Sequence, residues 1–243
     1  MSKIYIIGTG PGNRQHMTEK ALTAIEKSEV IIGYETYLNL IAELITNKTV
    51  FSSKMRKEKE RCQQAIDLAL KGKAVSLISG GDPGIYGMAG ILLELIKKEQ
   101  YTIDVEIIPG ISAVNAAAAV LGAPLMHDFV CISLSDLLTD WQLIKKRIHC
   151  AAQGDFVIAL YNPCSRKRIN QIKEAQQILL KYKDKSTPVG VVKNGMRDQE
   201  ESFLTSLDMF LDYPIDMSTL IIIGNSHTYI ADNKMITPRG YSI

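Results

Sequence analysis

The chain has 243 residues, 46% of them hydrophobic and 22% charged, with a formal net charge of +2. That length suffices for one large domain or two smaller ones, each with its own core. The near-neutral balance argues against wholesale nucleic-acid binding, and the lack of any run of about 18 apolar residues argues against a membrane span.

The chain enters a strand-like segment at once, Lys3-Ile4-Tyr5-Ile6-Ile7, with no cleavable signal pattern ahead of it. Strands are predicted at 3–8, 29–33, 73–79, 103–108, 128–134, 155–161, 187–193 and 218–224. Helices are predicted at 18–27, 55–71, 86–98, 111–121, 139–152 and 165–182, with Thr18 as an N-cap and Gly72 closing the helix at 55–71. Such alternation implies an α/β fold with mostly parallel sheets. Gly and Pro interrupt it at 122–128, which places a boundary between a domain of residues 1–122 and one of residues 123–243. Cys62, Cys131, Cys150 and Cys164 lack Cys-x-x-Cys spacing and read as small buried hydrophobes in a reducing cytoplasm. His16, His127, His149 and His227 are scattered, so no protein-held metal is expected.

The motifs sit where strands end. Gly8-Thr9-Gly10-Pro11-Gly12 follows the first strand, but Asn13 stands where a dinucleotide fingerprint needs glycine, so a tight strand-to-helix turn explains it equally well. The apolar strand 75–79 runs into Gly80-Gly81-Asp82-Pro83-Gly84-Ile85-Tyr86-Gly87. Two side chains are missing there, and Asp82 offers a carboxylate at the carboxyl end of a strand, where open α/β sheets bind ligands. Pro109-Gly110-Ile111-Ser112-Ala113 opens a helix whose free N–H groups can hold a polar ligand, and the alanines that follow suit close packing. Tyr161-Asn162-Pro163 forms a turn, Ser165 could cap the next helix, and Gly190 permits close approach to a strand. The run Lys54–Arg61 reads as a solvated helix start, with attraction of an acidic substrate as the minority reading. Arg14, Arg166, Lys167, Arg168, Arg197 and Arg239 lie in or beside strand-end loops and are better placed to grip carboxylates.

Taken in order, Gly-x-Gly-Pro-Gly, Gly-Gly-Asp-Pro-Gly-Ile-Tyr-Gly, Pro-Gly-Ile-Ser-Ala, Tyr-Asn-Pro, Val-Val-Lys-Asn-Gly and the closing Thr237-Pro238-Arg239-Gly240-Tyr241 resemble the tetrapyrrole methylases along essentially the whole chain. They look most like the branch that methylates C17 of precorrin-3B or cobalt-factor III during cobalamin synthesis, contracting the macrocycle as well. The resemblance implies two α/β domains, usually in a homodimer, with S-adenosylmethionine (SAM) and the active site in the cleft between them. It implies cofactor contacts from Pro11, Gly80, Gly81, Asp82, Ile85, Tyr86, Ser112, Ala113, Tyr161, Asn162, Gly190 and Val191, with S-adenosylhomocysteine as product. Arg14, Arg166 and Arg239 are the expected substrate grips. Asp82, Tyr86, His127 and Asp128 are the candidate acids or bases for ring contraction, none standing out. Two alternatives stay open: a methylase of this fold acting at another ring position or on a different substrate, as diphthine and ribosomal RNA methylases do on this scaffold, with the near-neutral charge and the Gly-Ile-Tyr-Gly-Met-Ala run speaking against RNA; and a nucleotide-binding or regulatory module without catalysis. Whether the substrate carries cobalt is also open.

Overall fold

A computed structural model describes residues 3–165 and 168–242. The chain divides into two compact units, Met1–Ala113 and Val114–Ile243. The division thus falls near the start of the helix at 111–121 that was expected to end the first domain, not after its end.

The first unit comprises β1 (Lys3–Gly8), α1 (Glu19–Lys27), β2 (Val30–Tyr34), α2 (Glu35–Leu40), β3 (Thr49–Ser53), α3 (Glu58–Leu70), β4 (Ala74–Ser79), α4 (Ala89–Lys98) and β5 (Asp104–Ile108). The strands form one sheet in the order β3-β2-β4-β1-β5, every pair parallel. All five carboxyl ends therefore lie along one edge. The central strands are apolar on both faces because helices cover both. Ile4, Ile6, Ile32, Val75 and Leu77 pack with Cys62, Ile66 and Leu92 from α3 and α4. Ile7, Ile31, Ile78 and Ile108 pack with Ala21, Ile25 and Leu38 from α1 and α2. Thr18 caps α1 as expected, its hydroxyl accepting from the Ala21 N–H at 3.1 Å. Gly72, at φ 86°, follows the last turn of α3 in the left-handed conformation that suits glycine there.

The second unit comprises α5 (Ala113–Leu121, all but its first residue), β6 (Gly122–Ala123), β7 (Phe129–Ser133), α6 (Trp141–Gln153), β8 (Val157–Tyr161), α7 (Asn170–Leu179), β9 (Pro188–Lys193), β10 (Glu201–Ser206), β11 (Thr219–Ile223), β12 (Tyr229–Ala231) and β13 (Lys234–Ile236). Helix α5 belongs here because Val114, Ala117 and Leu121 pack on Val157, Ala159, Val192 and Ile222. On the other face of the sheet, Ile144 and Ile148 of α6 and Ile172 and Leu179 of α7 pack on Ile158, Leu160, Val191 and Ile221.

The larger sheet here runs β10-β9-β11-β8-β7, and the expectation of mostly parallel pairing fails in it. Only β7–β8 pairs parallel among the described residues, while β11 pairs antiparallel with both β8 and β9, and β10 with β9. The reason is the connections. A parallel neighbour needs a crossover, usually a helix. Helices α6 and α7 make β7, β8 and β9 co-directional, but no α-helix links β9 to β10 or β10 to β11. Strands β12, β13 and β6 form a small separate sheet.

Candidate active site

In the first unit the three motif loops leave adjacent strands, β4, β1 and β5, and their backbones meet. Gly10 and Gly81 form a two-way bridge, Gly10 N–H to Gly81 O at 3.1 Å and Gly81 N–H to Gly10 O at 2.9 Å. The Asp82 carboxylate fastens the third loop. Its Oδ1 accepts from the Gly84 N–H at 2.8 Å and its Oδ2 from the Gly110 N–H at 3.1 Å. A Cβ added to Gly8 would lie 2.6 Å from Gly110 N and 2.7 Å from Gly81 O, and one added to Gly110 would strike Gly81 O. These glycines are needed because backbone packs on backbone.

The other glycines have different causes. A Cβ on Gly80 would lie 2.5 Å from the Tyr37 ring, and one on Gly12, itself at φ 114°, would lie 2.6 Å from Leu40. Both partners belong to α2, a helix the sequence reading did not anticipate. Gly81 is uncrowded: its nearest neighbour would be Ser112 Cα at 3.7 Å, but its φ is 66°. There the requirement is conformational. Beyond the turn, Ile85 and Tyr86 are exposed, and Tyr86 holds a φ of 54° that only a few per cent of non-glycine residues adopt. Ser112 is buried, Ala113 is exposed, and Pro11 is buried. Arg14 is exposed on a short 3-10 turn, Arg14–His16, which Asn13 caps.

In the second unit Tyr161 ends β8, and its hydroxyl accepts from the Val114 N–H at 3.0 Å, at the start of α5. Asn162 sits at φ 50° with its Nδ2 donating to Ser133 Oγ at 3.0 Å. Gly190 is explained by packing, since a Cβ would collide with Leu121. Val191 is fully buried in the core, so its side chain is inaccessible. His127 and Asp128 are exposed, and the His127 Nδ1 accepts from the Asp128 N–H at 2.9 Å. Arg239 is exposed on the tail after β13. Arg166 and Lys167 lie outside the described residues.

The structure thus gathers Pro11, Gly80, Gly81, Asp82 and Ser112 on one cluster of strand-end loops, and Tyr161 and Asn162 on another. Two buried arginines went unnoticed in those roles. Arg168, grouped with the carboxylate grips, is spent internally. It donates to Leu134 O at 2.9 Å and Asn162 O at 2.8 Å, and burial pulls its pKa below the usual guanidinium range. It ties the ends of β7 and β8 together. Arg61, read as part of a solvated run, is 4% exposed. The basic run around each conceals them, because only the tertiary fold distinguishes a buried arginine from its solvated neighbours. Among the cysteines, Cys62 is buried but Cys150 is exposed, so the uniformly buried reading fails there. Among the described residues no three His, Cys, Asp or Glu groups could hold a metal ion, and no helix is long and apolar enough to cross a membrane.

A model of the tetrapyrrole (corrin/porphyrin) methylases matches residues 3–210. A Priestia megaterium protein named cobalt-factor III methyltransferase is 51% identical over 98% of this chain, which spans 45% of that longer protein. A Salmonella typhimurium protein named "Probable cobalt-factor III C(17)-methyltransferase" is 50% identical over 98% of this chain and 99% of its own length. A Sinorhizobium protein named precorrin-3B C(17)-methyltransferase is 37% identical over 98% of this chain and 97% of its own. The crystal structure of the methyltransferase CobJ superposes with a TM-score of 0.91 at 32% identity, covering 98% of this chain and 100% of that one. With its motif loops clustered at adjacent strand ends and the family model spanning residues 3–210, the chain belongs to the tetrapyrrole methylase family.

Proposed function

We propose that this chain methylates C17 of cobalt-factor III from SAM, with contraction of the macrocycle, in cobalamin biosynthesis. The observation that carries this reading is the 50% identity to a relative of that name matched along 99% of its length. The lower identity to the precorrin-3B relative, 37%, favours the cobalt-bearing substrate over the metal-free one.

The residues of the first loop cluster suit SAM. Gly81 presents uncrowded backbone, Ile85 and Tyr86 present exposed apolar and aromatic surface, and Asp82 puts a negative charge beside the turn. In this reading Pro11, Gly80, Gly81, Asp82, Ile85, Tyr86, Ser112, Ala113, Tyr161 and Asn162 hold the cofactor. Gly190 and Val191 contribute only through backbone. When bound, SAM supplies an electrophilic methyl group on a sulfonium centre. The reduced macrocycle is itself the carbon nucleophile, so the chain's task is positioning and exclusion of water. Oriented intramolecular reactions reach effective molarities of about 10⁵–10⁸ M, enough for positioning to supply most of the rate. Asp82 acts chiefly as a brace, because both oxygens already accept backbone N–H groups. Tyr86, His127 and Asp128 remain the groups for proton movement during contraction. Arg14, Arg166 and Arg239 grip substrate carboxylates. The assembly in this reading is a homodimer, which light scattering tests.

Paired incubations with methyl-labelled SAM test the reading. Label should enter cobalt-factor III and enter precorrin-3B far more slowly. Isothermal titration in the presence of a chelator should still show SAM or S-adenosylhomocysteine binding. No cofactor binding at all would overturn the reading.

A further inference from the structure

The first sheet is parallel throughout, so the segment after β3 emerges on the same edge as the glycine loops. That segment is Lys54-Met55-Arg56-Lys57, ahead of α3. It stands two strands from β4, roughly 10 Å at the usual spacing between neighbours.

A solvated helix start has no need of a fixed geometry, yet this one is braced. Arg61, 4% exposed, donates from one terminal nitrogen to Ser53 Oγ at 2.9 Å and Lys54 O at 3.0 Å. Its other terminal nitrogen donates to Glu58 Oε1 at 3.2 Å, and that oxygen also accepts from the Arg56 N–H at 3.1 Å. Arg56 is held at φ 68°, a conformation long side chains rarely adopt. One buried guanidinium therefore fixes both ends of the loop and the unusual residue within it.

Two of the run's cations are answered by carboxylates. Glu58 answers Arg61, and Glu60 answers Lys57 at 2.6 Å. No ion pair among the described residues includes Lys54, Arg56 or Lys59, and all three are exposed, the first two on the loop itself and Lys59 within α3. Between Lys54 and Arg56, Met55 is 50% exposed. The loop thus offers cation, apolar side chain, cation. A reduced tetrapyrrole offers the complement, an apolar ring edge between carboxylate arms.

We propose that Lys54 and Arg56 form a carboxylate-gripping site for the tetrapyrrole periphery, with Met55 against the ring edge and Arg61 as the positioning residue. The inference rests on the functional reading above and adds a substrate contact to it. Arg suits a carboxylate bidentately where Lys acts as a point charge, so Arg56 is the stronger grip.

The test is equilibrium dialysis of cobalt-factor III at two salt concentrations. It uses the wild type, the double variant Lys54→Gln/Arg56→Asn, the charge-keeping variant Arg56→Lys, and Lys57→Gln as control. Asn tolerates the left-handed backbone, so the double variant should fold. Melting temperature and S-adenosylhomocysteine affinity are measured on each to confirm this. The double variant should lose roughly ten- to a hundredfold in tetrapyrrole affinity and much of its salt dependence, with S-adenosylhomocysteine affinity unchanged. Arg56→Lys should fall between the wild type and the double variant, keeping the charge and its salt dependence but losing the bidentate fork, and Lys57→Gln should retain nearly all of the affinity. A folded double variant that binds cobalt-factor III like the wild type would overturn the site while leaving the functional reading intact. A wild type that binds S-adenosylhomocysteine but no tetrapyrrole would overturn both.

Discussion

At the scale of single residues, the glycines of the motif loops separate into those that make room for a neighbour and those that hold a positive φ, namely Gly10, Gly12 and Gly81, with Gly12 doing both. Gly80 makes room: Gly80→Ala must displace Tyr37, so its loss of stability should shrink in a Tyr37→Leu background. Denaturant unfolding of the two single variants and the double variant measures that coupling. Gly81→Ala meets no crowding but forces alanine to φ 66°, at a cost of about 1–2 kcal/mol. It should fold, while the branched Gly81→Val should lose cofactor affinity in titration calorimetry. Asp82→Asn keeps one acceptor for two N–H groups, so one of Gly84 and Gly110 loses its partner. The expected loss is about 1–3 kcal/mol of stability, together with weaker SAM binding. These causes were only half legible in the sequence. Motif spacing marked the glycines, but the crowding at Gly80 and Gly12 comes from Tyr37 and Leu40 of a six-residue helix, α2, whose short span carries no usable periodicity.

At the scale of elements, burial decided what could be read. The central strands β1, β2, β4, β8, β9 and β11 are apolar on both faces and were legible. Strands β3 and β10 were not: their sequences, Thr-Val-Phe-Ser-Ser and Glu-Ser-Phe-Leu-Thr-Ser, are largely polar and carry no long apolar run, whereas the edge strands β5 and β7 carry more apolar residues and were legible. The start of α7 was misplaced because Ser165 and Arg168 pair with each other in an antiparallel bridge before it. Tyr161→Phe should cost about 1 kcal/mol by leaving the Val114 N–H unpaired at the start of α5, read by thermal melting. The start of β8 carries a pH-sensitive contact. Burial raises the Asp155 pKa, but hydrogen bonds from Ser226 and Lys183 outweigh it and hold the group below its usual 3.8. A lowered folded pKa means that its contribution is present above that value and lost as pH falls through the folded one. Acid titration of Asp155→Asn should accordingly show a shallower loss of stability below pH 3.8 than the wild type. A buried thiol gives a further check. Burial pushes Cys62 up to about 12, so it should react with a disulfide reagent only on unfolding, whereas the exposed Cys150 should react in the native protein.

At the scale of the whole molecule, the ordered series of motifs pointed to the family more securely than any one motif could, and the family model and relatives bear that out. The direction of the strands in the second unit was beyond the same reading, because it depends on which connections lack a helix and not on the strands' own composition. In the proposed reading substrate is gripped by cations spread over several loops, and sequence separates exposed cations from buried braces only poorly, as Arg61 and Arg168 show. The most direct test of the account is carbon-13 NMR of the tetrapyrrole recovered after reaction with cobalt-factor III and SAM labelled in its methyl carbon. The account predicts a single labelled methyl at C17 of a ring-contracted product. Label at another ring position, or at C17 of an uncontracted macrocycle, would contradict it.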